Sequence, residues 1–326
     1  AKWDSVDSVA KIGTVYFATL FDAVKAAADG DVIELTKDCS GNGIALYDSP
    51  AAGKLGPKDI TIDFGGFTYN VDGTTVGSTG TETQAFHFES ESKVVLRNGT
   101  LTSTTARMLV QNYSGLTLDK MVLDGSKLVG DAPYTLSTNN GKTVINDTTV
   151  TAKTGGIAFD VCSFGSYTSN EVVMTGDSVI NGTIEISATN DAPKKLDLQS
   201  GTVNGSIVVA AKNSGTTSVT KDDGVAVAIP ADYVWKNNVM TKLWTVTFDS
   251  VGGTEVDSVE VIDGETLAVP EAITRAADED GVYTFSKWLL GEAAYDFDAP
   301  VTADITLTAK WDSVDSVAKI GTVYFA

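Results

Sequence analysis

The chain has 326 residues, 42% of them hydrophobic, and a net charge of −20. That length and composition describe a globular protein with room for a sizeable core and two domains. The acid excess excludes nucleic acid and anionic membranes as natural partners, and no apolar run of about 18 residues is present to insert into a bilayer.

The first eighteen residues, AKWDSVDSVAKIGTVYFA, return unchanged at 309–326, which sets a period of 308 residues. A long period without drift marks an array in which one unit is repeated along an axis. The alternative is an added scar, or a boundary running a short way into a neighbouring copy, and the latter still implies a repeating polymer.

Residues 4–11 read as a linker and IGTVYFA (12–18) as a strand. A helix is predicted over 19–30. Thr19 and Asp22 resemble a capping box, Leu20, Ala23, Val24 and Ala27 share one face, and Gly30 sits where a C-terminal cap belongs. That is about three turns. VIELTKD follows directly as a strand.

Up to about residue 230 a six-residue signature recurs, with apolar ends and mostly polar or small residues between. It reads IDFGGF from Ile62, LRNGTL from Leu96, LDKMVL from Leu118, INDTTV from Ile145, MTGDSV from Met174 and LQSGTV from Leu198. A looser VTKDDGV starts at Val219, and the successive spacings are 34, 22, 27, 29, 24 and 21 residues. Such intervals suit the coils of a β-solenoid, with excess residues leaving as loops such as DGTTVGSTGTET. AFHF, MLV, IAF, TIEI and SIVVA supply further short strands with inward apolar residues. A β-sandwich also uses many short strands, but needs no signature at coil-like intervals. Eight or so coils would give a rod on the order of 40 Å.

This arrangement, over roughly residues 12 to 230, resembles the right-handed parallel β-helix domains of bacterial surface proteins. The opening IGTVYFATLFDAVKAAADGDVIELTKD is similar to the first coil of that class. The resemblance implies an all-β domain over 12–232, its short N-terminal helix (19–30) covering an open end whose backbone groups would otherwise invite edge association.

After a linker at 233–243 the pattern changes. VTFDSVGGT (246–254), DGETL (263–267), Pro270, YTFSKW (283–288) and YDFDAPVTADITLTAKW (295–311) resemble the Listeria-Bacteroides repeat, also called the internalin B-repeat. The resemblance implies a β-grasp-like module over 244–311, with mixed strands and one short helical element, of a kind found in series on exported bacterial proteins. Val246, Phe248, Tyr283, Phe285, Trp288, Tyr295, Phe297, Leu307 and Trp311 would form its core. Trp311 then corresponds to Trp3, so residues 1–3 finish a preceding module and 312–326 begin the next unit. The copied segment straddles a domain junction, at which Trp3, Ile12, Val15, Phe17, Trp311, Ile320, Val323 and Phe325 are the candidate residues.

Parallel β-helix folds include polysaccharide lyases and hydrolases, so the resemblance admits an active site. His87, the only histidine, alternates with Phe86 and Phe88 and is expected to face solvent, which leaves a Ser-His-Asp triad and a histidine metal site unsupported. Asp119 with Asp124, or Asp160 with Asp177, could form a glycosidase pair if held about 5 to 10 Å apart, but acids are frequent enough to pair by chance. Arg97, Arg107 and Arg275 are the candidate bases of a lyase-like site, with ion pairing the simpler role. Asn98, Asn112, Asn146, Asn181 and Asn204 lie in sequons, where turns or backbone hydrogen bonds explain them better than glycans. Cys39 and Cys162 read as free buried thiols. No catalytic residue and no cofactor is expected; an acidic surface could hold calcium weakly, although no D-x-D-x-D-G loop is present.

The function expected is that of a structural repeat unit in an extracellular stalk, fibre or surface appendage on a bacterial cell, its partners being neighbouring copies of the same repeat. The alternatives are an adhesin that binds glycan or a host surface, through an exposed loop such as 72–84, and a carbohydrate-active enzyme.

Overall fold

The structure is a computed structural model and describes residues 7–78 and 80–325. Its contacts divide it into two units, residues 1–230 with 237–239, and residues 231–236 with 240–326.

The first unit is a parallel β-solenoid. Its first face stacks Val32–Leu35, Asp59–Asp63, the beginnings of Lys93–Ser103 and Gly115–Asp124, then Gly141–Asn146, Asn170–Thr175, Lys194–Leu198 and Thr217–Lys221, all in parallel register. The third face is, among the described residues, a sheet of seven strands from Ile44–Leu46 to Ile207–Val209, which makes about seven turns. Two of its strands, Ile44–Leu46 and Tyr134–Thr138, have no counterpart among the predicted strands.

The signature has a physical origin. Its opening residues Ile62, Leu96, Leu118, Ile145, Met174 and Leu198 occupy one register position and form a continuous buried row. Two residues further on, Asn98, Lys120, Asp147 and Gly176 all adopt positive φ. There the chain turns a corner onto the second face, and Asn, Asp and Gly tolerate that conformation best. Inside the corner, Thr148 Oγ1 accepts the Met121 N–H and Ser178 Oγ accepts the Thr148 N–H, so hydroxyls satisfy buried backbone groups from one rung to the next.

The second buried row is Tyr69, Leu101, Leu123, Val150, Ile180 and Val203. Four of these close their signatures as predicted, but Phe67 and Val179 do not. Each is only partly buried, because the corner is longer in those rungs and places Tyr69 and Ile180 in the row instead. VTKDDGV is also displaced: Val219 aligns with Leu196, and Lys221 with Leu198.

The helix spans Leu20–Ala26, shorter than the predicted 19–30. Thr19 caps it, accepting the Asp22 N–H, while Leu20, Ala23 and Val24 are buried. Ala27, already extended, ends it; Gly30, at positive φ, instead forms the turn into Val32–Leu35 and donates its N–H to the Asp59 carbonyl. Thr19→Ala should cost about 1 kcal/mol of local stability, read as faster hydrogen exchange confined to residues 20–27.

The second unit holds a mixed sheet. Val239–Asp249 pairs antiparallel with Val259–Ile262 and parallel with Ile305–Val314, which pairs antiparallel with Val282–Leu290. Residues 233–243, expected as linker, form Tyr233–Lys236 and the first part of Val239–Asp249. The implied helical element does not form. Residues 267–278 run without helix, because the buried Leu267 and Ile273 lie six positions apart around Pro270, a spacing that matches no helical face.

Val246, Phe248, Trp288 and Leu307 are buried with Val261, Leu267, Ile273 and Val301, and Phe285, Tyr295, Phe297 and Trp311 pack against them. Tyr283 lies outside this core: Arg275 stacks on its ring 3.6 Å from the centroid, and its hydroxyl donates to Asp278. Trp311 donates its indole N–H to the Ser250 carbonyl and lies across Gly253, where a Cβ would come within 2.4 Å of the ring. The second glycine of VGGT is therefore required by the tryptophan.

Candidate functional site

Within the copied segment, residues 10–17 and 318–325 fold the same way. IGTVYFA is not one strand: Gly13, at positive φ, turns the chain so that Ala10–Ile12 pairs with Val15–Phe17 as a two-residue-loop hairpin. Residues 10 and 11, assigned to the linker by sequence, belong to it. The second copy pairs Ala318 with Phe325, Lys319 with Tyr324 and Ile320 with Val323, the same register as Ala10 with Phe17, Lys11 with Tyr16 and Ile12 with Val15. Even the flanking bond repeats, Val9 N–H to Phe17 O and Val317 N–H to Phe325 O, both 2.9 Å.

Their surroundings differ. The first hairpin lies antiparallel on the edge of Val32–Leu35, opposing Ala10 to Leu35 and Ile12 to Ile33. Thr36 donates its N–H to Val9 O and its hydroxyl to Ser8 O, and Lys11 forms a 2.9 Å ion pair with Glu34 that raises the lysine pKa. Ala10 is wholly buried, Ile12 and Phe17 are partly covered and Val15 is exposed. In the second copy Val317 is 79% exposed and Ile320 73%, and Ala318, Val323 and Phe325 are exposed as well. Trp3 lies outside the described residues, and Trp311 is held in the core of the second unit.

A second cluster lines the outer side of the third face, where Ala45, His87, Gln111, Ser137, Asp160, Glu185 and Val208 fall in one register row. His87 does alternate outward from Phe86 and Phe88, but it is 0% exposed and not a surface residue. The rings of Tyr47 and Tyr113 lie 5.5 and 5.8 Å from it, and Gln111 and Glu89 engage its two nitrogens at 3.0 and 3.4 Å. Tyr113 continues the layer to Tyr167 and Phe164. Asp160, 5% exposed, accepts the Thr138 N–H at 2.6 Å and the Ser137 hydroxyl at 3.2 Å. Burial pushes its carboxyl up to about 8, against the Thr138 bond that pulls it down, and neighbouring Glu185 adds to the rise. Beyond the pairing with Asp177, the place of Asp160 between the inward Phe159 and Val161 is the sequence signal that it belongs to the outer row.

Each acid of the two proposed pairs is hydrogen-bonded to other groups. Asp177 lies in the corner after Asn170–Thr175, its N–H bonded to Asp147. Asp119 accepts from Asn146 and Asp124 from the Ser126 N–H. Arg97 pairs with Asp63 at 2.8 Å, whereas Arg107 reaches the Asp131 backbone carbonyl and Arg275 sits 3.6 Å from Asp278. The sequon asparagines are structural: Asn98 takes the left-handed corner, Asn112 donates to Ser114 O, Asn146 to Asp119, Asn181 to Thr151 and Asn204 to Asn181. Both cysteines are free thiols, Cys162 buried and Cys39 only half-buried. Among the described residues no group of three or more His, Cys, Asp or Glu is placed to hold a metal, and no helix is long and apolar enough to cross a membrane.

A solenoid of stacked coils followed by a mixed-sheet module, with the opening hairpin repeated at the far end of the chain, defines the class as a β-solenoid repeat protein. Residues 244–310 match the family model of the Listeria-Bacteroides repeat domain. No curated protein and no solved structure matches the chain.

Proposed function

We propose that the chain is the structural repeat unit of an extracellular bacterial stalk, fibre or surface appendage, in which solenoid and Listeria-Bacteroides modules alternate and neighbouring units stack head to tail. The observation that carries this is the duplicated hairpin, which folds in the same register at positions 308 residues apart. The repeat domain is typical of bacterial surface proteins, which supports placement at the cell surface. Seven turns at the usual strand spacing contribute on the order of 30 Å per solenoid, so repetition supplies reach without new sequence. In this reading the acidic residues are solvating and structural, the net charge of −20 keeps a long array soluble, and no catalytic step is assigned.

Proteins carrying one, two and three periods, compared by small-angle scattering, should lengthen in proportion to period number. A maximum dimension that saturates, or a compact particle at three periods, would sink the stalk reading.

A further inference from the structure

We propose that the groove beside Lys287 and Lys310 on the Listeria-Bacteroides module binds an acidic sugar, with the carboxylate of a uronic-acid polysaccharide lying between the two ammonium groups. This goes beyond the structural reading above and does not depend on it.

Across the ladders of the solenoid a cation is met by an acid. Lys11 opposes Glu34, Lys93 opposes Asp59, Arg97 opposes Asp63, and Lys142 and Lys195 flank Glu171, each forming an ion pair. Lys287 breaks the pattern, because its partner in the antiparallel pair of Val282–Leu290 with Ile305–Val314 is Lys310. A β-bulge between Phe285 and Lys287 creates the opposition. In unbroken register Ser286 would face Lys310, and Lys287 would face Ala309. Like charges directly opposite destabilise a sheet, and a bulge that re-aims a side chain is a designed feature rather than a defect. Neither lysine forms an ion pair among the described residues, although acidic residues outnumber basic ones 43 to 23 in the chain. Two opposed cations are thus left to an anion from outside.

Both side chains line a groove of about 610 Å³, the size of a ligand site. Arg275, stacked on Tyr283, adds a third cation to it. Directly opposed residues have Cβ atoms about 5 Å apart, so two flexible lysines reach the same oxyanion. The rest of the lining selects among anions. Leu289 and the partly buried rings of Tyr283 and Trp311 offer apolar surface to the C–H face of a sugar. Glu292 accepts hydrogen bonds from hydroxyl groups but repels a polyphosphate, which has none to offer. A second copy of the chain would bring a net charge of −20 against −20, whereas a short saccharide brings few charges. A ring carrying both a carboxylate and hydroxyls satisfies the cations, the acid and the apolar wall together.

Titration calorimetry of the full chain at low salt with a uronic-acid hexamer reads the site. Lys287→Gln combined with Lys310→Gln should weaken binding about tenfold or more, and the variant should melt at or above the wild-type temperature because the opposed charges are gone. Lys127→Gln combined with Lys212→Gln removes the same charge from exposed positions on the solenoid and should change binding by less than about twofold. An uncharged hexose hexamer and a linear phosphate hexamer should each bind about tenfold more weakly than the uronate. Amide shifts on adding the uronate should fall within 283–294 and 309–313. The proposal is overturned if the wild type does not bind, if the lysine pair is removed without loss, or if the phosphate binds as tightly as the uronate. A lower melting temperature overturns its premise that the two ammonium groups lack partners. Self-association of the wild type that the paired substitution abolishes would assign the groove to a second copy and overturns it as well.

Discussion

Asp160→Asn should stabilise the solenoid at pH 8 by on the order of 3 to 5 kcal/mol and leave it nearly unchanged at pH 4. In the folded chain the carboxyl holds its proton up to about 8, while in the unfolded chain it would ionise near its ordinary 3.8. The folded state therefore binds the extra proton across that window. Stability is full below about pH 4, falls by at most about 1.4 kcal/mol for each pH unit between the two values, and levels off once the folded carboxyl has ionised as well. Asparagine reproduces the protonated form. Its carbonyl oxygen accepts the Thr138 N–H, and its amide donates to the Ser137 hydroxyl, which can accept as readily as it donates. Asp63, Asp197, Asp232 and Asp278 are held below the usual carboxylate range, so their losses come at lower pH and are common to both proteins. Urea titrations of wild type and Asp160→Asn at pH 4, 6 and 8 read the difference directly. A gap that does not widen with pH, or a variant weaker than wild type at pH 8, would show that the ionised carboxylate is what this site is built to hold.

Asp160 and His87 also show where sequence stops being legible. Alternation places both side chains on the outer side of their strands, and the structure agrees. It cannot show that the outer side is itself covered. Tyr47 and Tyr113 lie just past the ends of their own strands and fold back over the row, so a polar residue aimed outward ends up in a second, aromatic layer. The opening anchors of the signature, by contrast, could be read from Ile62 to Leu198, because a left-handed residue follows each by two or three positions, and Gly65, Asn98, Asp147, Gly176 and Gly201 are of the types that mark such corners in sequence, Lys120 being the exception. The Listeria-Bacteroides module was legible for a related reason. VGGT and the closing tryptophan are two halves of one contact, Gly253 under Trp311, so the motif records a constraint of packing. The hairpin was missed because Ile12 to Ala18 alternates passably as a single strand and only the backbone conformation of Gly13 reveals the reversal.

The corner also predicts the sharpest difference between adjacent residues. From Leu96 to Leu101 the signature crosses it in five positions, but from Met174 to the inward Ile180 it takes six, and an apolar residue, Val179, happens to stand where the shorter corner would end. Ile180 is wholly buried between Val150 and Val203, whereas Val179 opposes Thr149 and Thr202 and is only partly covered. Ile180→Ala should therefore cost about 2 to 5 kcal/mol, as a cavity in a core that cannot collapse around it. Val179→Ala should cost under about 1 kcal/mol. In a stack whose rungs contact only their neighbours the damage stays local, so hydrogen exchange is the informative measurement. Amides in 170–204 should exchange from about 30-fold to more than 1,000-fold faster in Ile180→Ala, with the Listeria-Bacteroides module unaffected. Equal effects from the two substitutions would mean that the corner after Met174 has the shorter length, and that the register of every rung beyond it must shift with it.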